Sequence, residues 1–228
     1  MRRFIAFALA LAMGLSFVDN AEAKKPKPEP AAAEETTEGG EEASAALEMK
    51  MVGVPGVDNV FSQANDPLKN ISDAKAKLAS LNTNLATALA LPEGTPFADA
   101  LADLKAKGEG KLAMAIDEKG MPKLSASDAV PENVQTALDA VNQGVSDVQS
   151  AIELLAAVPD QCKEVASAAT GISPSSFTGA GVSPTQVPKM MKTVQGNIKT
   201  LGMVPDEVKS VVDAAASVMT TLKDSFAG

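Results

Sequence analysis

Histidine, tyrosine and tryptophan are absent from this sequence of 228 residues, and it contains one cysteine, Cys162. Without histidine, neither a Ser-His-Asp triad nor a Cys-His pair can be assembled. Zinc, copper and haem sites lose their commonest ligand, and a single cysteine cannot replace it. General acid-base chemistry would need a carboxylate or a lysine with a strongly shifted pKa. The composition therefore predicts a non-enzymatic protein with no catalytic residues, no cofactor and no bound metal.

Arginine is almost absent too, since Arg2 and Arg3 are the only two in the chain. The formal net charge is −9 at pH 7. Arginine supplies the planar fork that binds phosphate and base edges, and an acidic chain repels polyanions. The sequence therefore argues against a nucleic acid partner and against anionic membrane surfaces.

The first residues have the three-part plan of a secretory signal peptide. Met1-Arg2-Arg3 precedes an apolar run from Phe4 to Val18, and Ala21-Glu22-Ala23 offers small residues to signal peptidase. The run is about 15 residues, shorter than the roughly 20 of a membrane-spanning helix, and no later run approaches that length. We expect residues 1–23 to be removed near Ala23, leaving a soluble periplasmic or secreted protein that is not membrane-spanning.

A polar segment, residues 24–44, follows the predicted cleavage site. It contains no large apolar side chain, and proline comes first and glutamate later. Such a composition cannot contribute to a core and predicts a disordered Pro/Glu-rich tether. A solubilising leader and a docking arm for an envelope partner are the two roles that this segment allows.

Residues 45–228 are predicted to form a single helical-bundle domain, an all-α antiparallel bundle of about five to six helices. Two segments carry sustained heptad spacing of apolar residues, one opening at Asp66-Pro67 and one at Pro131. Each has one narrow apolar seam, and a helix of about 26 residues needs a partner of similar length. The seams are Ile71, Ala74, Leu78, Leu81, Leu85 and Ala88 in the first, and Val134, Leu138, Val141, Val145, Val148, Ile152 and Leu155 in the second.

Four shorter helices are predicted around this pair. They cover Pro96 to Lys107, Pro159 to about Thr170, Thr185 to Leu201, and Pro205 to Phe226. The link Gly202-Met203-Val204 between the last two leaves room only for a hairpin turn. We therefore expect these two helices to pack antiparallel to each other.

Two stretches depart from the helical pattern. Leu112, Met114 and Ile116 alternate with alanine before the turn signal that ends at Gly120, which predicts a small β-hairpin insertion near residues 111–126. Residues 171–184 are rich in Gly, Ser and Pro but include Phe177. A loop of this kind either pins its apolar residues onto the domain or acts as a binding loop.

Methionines cluster on the two final predicted helices. Flexible thioethers fill irregular cores, and they also line adaptable grooves for lipids or partner helices. Together with the aromatic residue of the 171–184 loop they are the candidate partner- or ligand-binding residues: Phe177, Met190, Met191, Met203 and Met219.

Three further side-chain patterns have simple structural explanations. Cys162 falls on an apolar helix face, which predicts a buried, inert thiol, with an intermolecular disulfide as the alternative. Ser72 and Lys75 match the S-x-x-K spacing of serine acyl-enzymes, but one such match arises by chance in this composition. Asp99 and Asp103 lie one helical turn apart, as expected for an exposed acidic face beside a lysine.

These observations lead to two functional hypotheses. The first is a secreted or periplasmic non-enzymatic helical bundle that acts in protein-protein interaction or envelope structure, with another envelope protein or a second copy of itself as partner. The alternative is a carrier of an apolar ligand, a fatty acid or lipid bound between helices or beneath the 171–184 loop.

Overall fold

The computed structural model describes residues 47–118 and 120–226. The predicted signal peptide (residues 1–23) and tether (residues 24–44) lie outside the described residues, so both stay predictions. The elements are, in chain order, α1 (Pro55–Ser62), α2 (Asn65–Ala88), α3 (Phe97–Lys107), β1 (Leu112–Ile116), β2 (Pro122–Ala126), α4 (Glu132–Leu155), α5 (Val158–Thr170), α6 (Pro174–Thr178) and α7 (Val187–Phe226). This is the predicted all-α helical bundle with one small hairpin. None of the described helices is both long and apolar enough to cross a membrane.

Helices α2 and α4 pack along each other, as their apolar seams predict. The two helices are antiparallel: Leu81 in α2 lies against Gly144 in α4, whereas the earlier residue Lys77 shares a cleft with the later residues Ala151 and Leu154. Each helix has 24 residues, so each offers the other a partner of equal length. The periodicity in the sequence therefore predicted both the helices and their pairing.

Buried side chains form two core clusters at different levels of the bundle. The first core cluster is built by α1, α5, α6 and parts of α2, α4 and α7, and includes Phe61, Leu155, Cys162, Phe177 and Val204. The second is built around α3 and β2, and includes Leu85, Leu101, Leu124, Leu138 and Leu222. Helices α2, α4 and α7 each contribute to both clusters and so connect them.

The predicted hairpin between two final helices is wrong. Residues 187–226 form one continuous helix of 40 residues, about 60 Å long at 1.5 Å per residue, with Pro205 inside it. Pro205 cannot donate to the carbonyl of Leu201, and an internal proline costs about 3 kcal/mol. Leu201, Val204 and Val208 are nevertheless all buried in the first core cluster. A turn at Gly202 would break this seam, so burial offsets the cost of proline.

The described chain before α1, residues 47–54, has no regular secondary structure, although the sequence suggested helix from about residue 45. Asn197 of α7, which is buried, holds this segment through two hydrogen bonds. The Lys50 N–H donates to Asn197 Oδ1 at 3.0 Å, and Asn197 Nδ2 donates to the Lys50 carbonyl at 2.8 Å. The Asp58 carboxylate accepts the N–H groups of Val52 at 2.7 Å and Gly53 at 2.9 Å. The side chains of Asn197 and Asp58 thus satisfy backbone hydrogen-bonding groups of this segment.

The predicted β-hairpin is confirmed. β1 and β2 are antiparallel, with Ile116 opposite Pro122 at the end nearest the turn. In the turn, Asp117 Oδ1 accepts the Met121 N–H at 2.9 Å. Asn142 of α4 then donates to the Leu124 carbonyl at 2.8 Å and accepts its N–H at 2.8 Å. The hairpin is therefore anchored to the bundle by one amide side chain, as the segment before α1 is.

Two helical glycines provide a matched test of packing. At Gly202 an added Cβ would meet nothing within 4 Å, so Gly202→Ala is expected to stabilise the protein by about 1 kcal/mol and raise Tm by about 2–4 °C. At Gly144 an added Cβ would lie 2.3 Å from Leu81 Cδ1 in the core. The gain in helix propensity from glycine to alanine is the same at both positions, but at Gly144 the new methyl group crowds Leu81. Gly144→Ala should therefore be less stable than Gly202→Ala by about 1–3 kcal/mol. Equal stabilities in thermal and urea unfolding would contradict this close helix contact.

Candidate interaction surface on helix α2

The five binding residues proposed from the sequence do not lie together. Phe177 is fully buried in the first core cluster, and Met190 and Met191 are half-buried against that cluster. Met219 packs against the second core cluster, about 42 Å along α7 from Met191 at 1.5 Å per residue. Met203 is 46% exposed. The structure thus brings three of them to one cluster and separates the other two from it.

The 171–184 loop pins its aromatic residue into the core. Phe177 lies in the short helix α6, and its carbonyl accepts the N–H groups of Ala180 at 3.0 Å and Val182 at 3.0 Å. At the start of α6, Ser176 Oγ accepts the Ser173 N–H at 3.2 Å. Of the two readings that the sequence allowed, the structure therefore favours a packed loop over a binding loop.

Cys162 is completely buried in the first core cluster, and its thiol is free. Burial disfavours the thiolate and raises the pKa of Cys162. Since the pKa is higher in the folded than in the unfolded chain, this group's contribution to stability is complete below the ordinary thiol pKa and is lost as pH rises above it.

We expect Cys162 to resist alkylation in the native protein, because the thiol is both inaccessible and protonated. Iodoacetamide at pH 8 should label it rapidly only in denaturant, and mass spectrometry of the two samples checks this. Equal labelling rates in the two samples would show that the thiol is accessible. A covalent partner at Cys162 would then regain support.

The remaining sequence motifs are explained by ion pairs. Lys75 Nζ lies 2.6 Å from Glu207 Oε2 on α7, and Ser72 is exposed. Lys107 Nζ lies 2.8 Å from Asp103 Oδ2 in α3. Lys75 thus links α2 to α7, and Lys107 pairs with an aspartate that is half-buried rather than on the exposed acidic face that the sequence predicted.

A first cleft, of about 380 Å³, lies between α2 and the irregular segment before α1. Its floor includes Leu68, and Met51 on its wall is 48% exposed. Asn197 and Asp58 hold the wall in place through the backbone hydrogen bonds described above. The lining residues are Leu47, Glu48, Met49, Met51, Asn65, Leu68, Lys69 and Ser72.

A second cleft, of about 260 Å³, lies between α2 and α4. It is lined by Asn70, Asp73, Ala76, Lys77, Ala151 and Leu154, and Leu154 is 58% exposed. Leu154 precedes the buried seam residue Leu155 and points away from the core. A leucine beside a heptad seam was the only signal in the sequence for this cleft.

One ion pair lies between the two clefts. Lys69 lines the first and Asp73 lines the second, and Lys69 Nζ lies 2.5 Å from Asp73 Oδ2. The Asp73 carboxylate accepts this hydrogen bond and attracts the ammonium, which raises the pKa of Lys69. We call the two clefts and this ion pair the α2 surface. It combines two exposed apolar side chains, those of Met51 and Leu154, with one exposed ion pair.

The structure defines the class of protein as an all-α helical bundle with a small hairpin. Comparison of the chain with protein-family models, with curated proteins and with solved structures gave no significant match. Within the described residues, no three Cys, Asp or Glu side chains are grouped so that they could hold a metal ion. Among the described residues, the α2 surface is therefore the candidate functional site.

Proposed function

We propose that this chain is a non-enzymatic helical-bundle protein of the cell envelope, and that its α2 surface binds another protein. The observation that carries the proposal is the exposure of Met51 and Leu154 beside the two clefts. A partner that covered both would bury their apolar area, at about 25 cal/mol per Å². Lys69 and Asp73 would then lie within the contact and orient the partner.

The location in the envelope is part of this proposal. It is supported by the charged start, the apolar run and the Ala21-Glu22-Ala23 site at residues 1–23. After cleavage the segment 24–44 would be a free N-terminal arm, which serves as a solubilising leader or as a docking arm for a partner.

Site-directed photocrosslinking in intact cells tests the contact. A photoreactive amino acid at position 154 should capture one specific envelope protein, because Leu154 is expected to lie in the interface. The same probe at Ile116, which is 52% exposed on the hairpin, is the matched control and should not capture it. Met51→Glu should reduce capture from position 154, since a charge would be buried on binding. Equal capture from positions 154 and 116 would contradict the proposal.

The carrier of a fatty acid or lipid remains the second hypothesis, with weaker support. Both clefts open to solvent and have charged rims, whereas a lipid site buries most of its ligand. Phe177 occupies the space beneath the 171–184 loop. Lipid extraction and mass spectrometry of protein from its native source separate the two hypotheses. A stoichiometric acyl chain would favour the carrier, and empty protein that crosslinks to a partner would favour the contact surface.

A further inference from the structure

The outer face of α7 carries a second heptad pattern, opposite the face that packs into the core. Met203 lies at its centre, with Lys199 and Asp206 one turn away on either side. The stripe continues to Lys192 through Gly196, and to Asp213 through Ser210, always at spacings of three or four residues. All seven residues are exposed. No described element covers this stripe.

Charge along the stripe is divided by Met203. Lys192 and Lys199 lie on the N-terminal side, and the sequence has no acidic residue from 187 to 205. Asp206 and Asp213 lie on the C-terminal side. Within the described part of the chain the only ion pair that involves these four residues joins Asp213 to Lys209, at a long 3.8 Å between exposed groups. Such an exposed pair contributes little to stability, so all four charges are available to a partner.

We propose that this stripe binds the same stripe of a second copy, with the two α7 helices antiparallel and a two-fold axis at Met203. Lys199 then lies opposite Asp206 of the second copy, and Lys192 opposite Asp213, each within about one residue's rise of 1.5 Å. A parallel pair would place lysine against lysine. The interface is isologous, because the same stripe serves both copies.

The uncharged positions fit the same arrangement. Met203 meets Met203 of the second copy on the axis, where its exposed thioether side chain becomes buried. Gly196 falls opposite Ser210 of the second copy, and a Cβ at Gly196 would meet nothing of its own chain within 4 Å. Small residues at this level let two helices approach closely. The contact is mainly ionic, so it should weaken as salt concentration rises.

This inference uses α7 and not the α2 surface, so its test is independent of the proposed partner. Sedimentation of the purified protein should show a monomer-dimer equilibrium that shifts to monomer in 1 M NaCl, where the Debye length is about 3 Å. The variants Lys192→Glu/Lys199→Glu and Asp206→Lys/Asp213→Lys should each be monomeric, because like charges then face each other. An equimolar mixture of the two should restore a dimer.

In the mixture one variant has only negative and the other only positive side chains at these four positions, so every charged contact of the heterodimer is favourable. The antiparallel orientation is tested by the wild-type protein, because only antiparallel helices place its lysines opposite its aspartates. A wild-type protein that stays monomeric at low salt and high concentration overturns the proposal. Dimers of either variant alone, or a mixture that stays monomeric, also overturn it. All four positions are exposed, so circular dichroism should be unchanged.

Disulfide trapping provides a second measurement that needs no charge reversal. Met203→Cys should form a covalent dimer on mild oxidation, because the two thiols meet on the axis. Lys192→Cys is the control, since its two copies would lie about 33 Å apart along the helix axis. Cys162 is completely buried and does not interfere. Equal trapping at the two positions, or trapping at neither, contradicts the axis at Met203.

Discussion

Phe177→Ala is expected to lower the free energy of unfolding by about 3–5 kcal/mol, the usual cost of removing a buried phenylalanine side chain. Phe177 is completely buried and belongs to the first core cluster. Its loss leaves a cavity beneath α6, and the loop that α6 anchors loses its apolar contact. Urea unfolding followed by circular dichroism measures the effect. The same variant should expose the 171–184 loop to limited proteolysis.

Ile116→Ala is the matched control, because it also removes a large side chain but from a position that is 52% exposed. Its cost should stay below about 1 kcal/mol. A small effect of Phe177→Ala, similar to that of the control, would mean that the phenylalanine is available to a ligand. The reading of the 171–184 loop as a binding loop would then be restored.

Asn197→Leu is expected to cost about 2–4 kcal/mol, because it leaves the Lys50 N–H and carbonyl without their partners. Asn197 is the one buried polar residue among the described side chains. Leucine branches at Cγ as asparagine does and is larger, so the substitution leaves no cavity, and its effect combines the lost hydrogen bonds with tighter packing. The segment before α1 should detach, and the Lys50 amide should exchange its hydrogen much faster. Capture of a partner through the α2 surface should fall too, since this segment is one wall of the first cleft.

Asn142→Leu is the control for specificity of this anchoring. Asn142 makes the same two bonds to Leu124 of the hairpin. In Asn142→Leu, hydrogen exchange should become faster in β2 and stay unchanged at Lys50. In Asn197→Leu, it should become faster at Lys50 and stay unchanged in β2. Faster exchange at both places in either variant would indicate general destabilisation and contradict two separate anchors.

The local patterns of the sequence were sufficient for most of the fold. Apolar spacing predicted α2 and α4 and their pairing, because only a partner of similar length buries a long narrow seam. Strict alternation followed by a turn signal predicted the hairpin. These features depend on residues close together in the chain, where periodicity is a direct consequence of helix and strand geometry.

The sequence misled where local and tertiary signals disagree. Gly202 and Pro205 are good signals for a helix end, yet α7 continues through both because Val204 is buried in a core made by other helices. The methionines looked like one group, but a continuous α7 separates Met191 from Met219. The wrong helix end therefore also explains why the candidate methionines lie at different levels of the bundle.

The α2 surface could not be predicted from the sequence. Its first cleft depends on Asn197 and Lys50, which are separated by 147 residues in the chain. Nothing in the local pattern around either residue shows that the Asn197 amide will hydrogen-bond to the backbone of Lys50. The sequence also does not distinguish Leu154 and Met51 from the many apolar residues that are buried, because the packing of the helices decides which side chains are exposed.

The sequence by itself determined the helical class, the paired seams, the hairpin and the lack of histidine chemistry, because these depend on composition and short-range spacing. The tertiary structure alone decided that α7 is one helix, that Phe177 is core and that Met51, Leu154 and Met203 are exposed. The physical reason is the same in each case. Burial and long-range hydrogen bonds contribute several kcal/mol per residue, which exceeds the roughly 1–3 kcal/mol of local preferences such as those of glycine and proline.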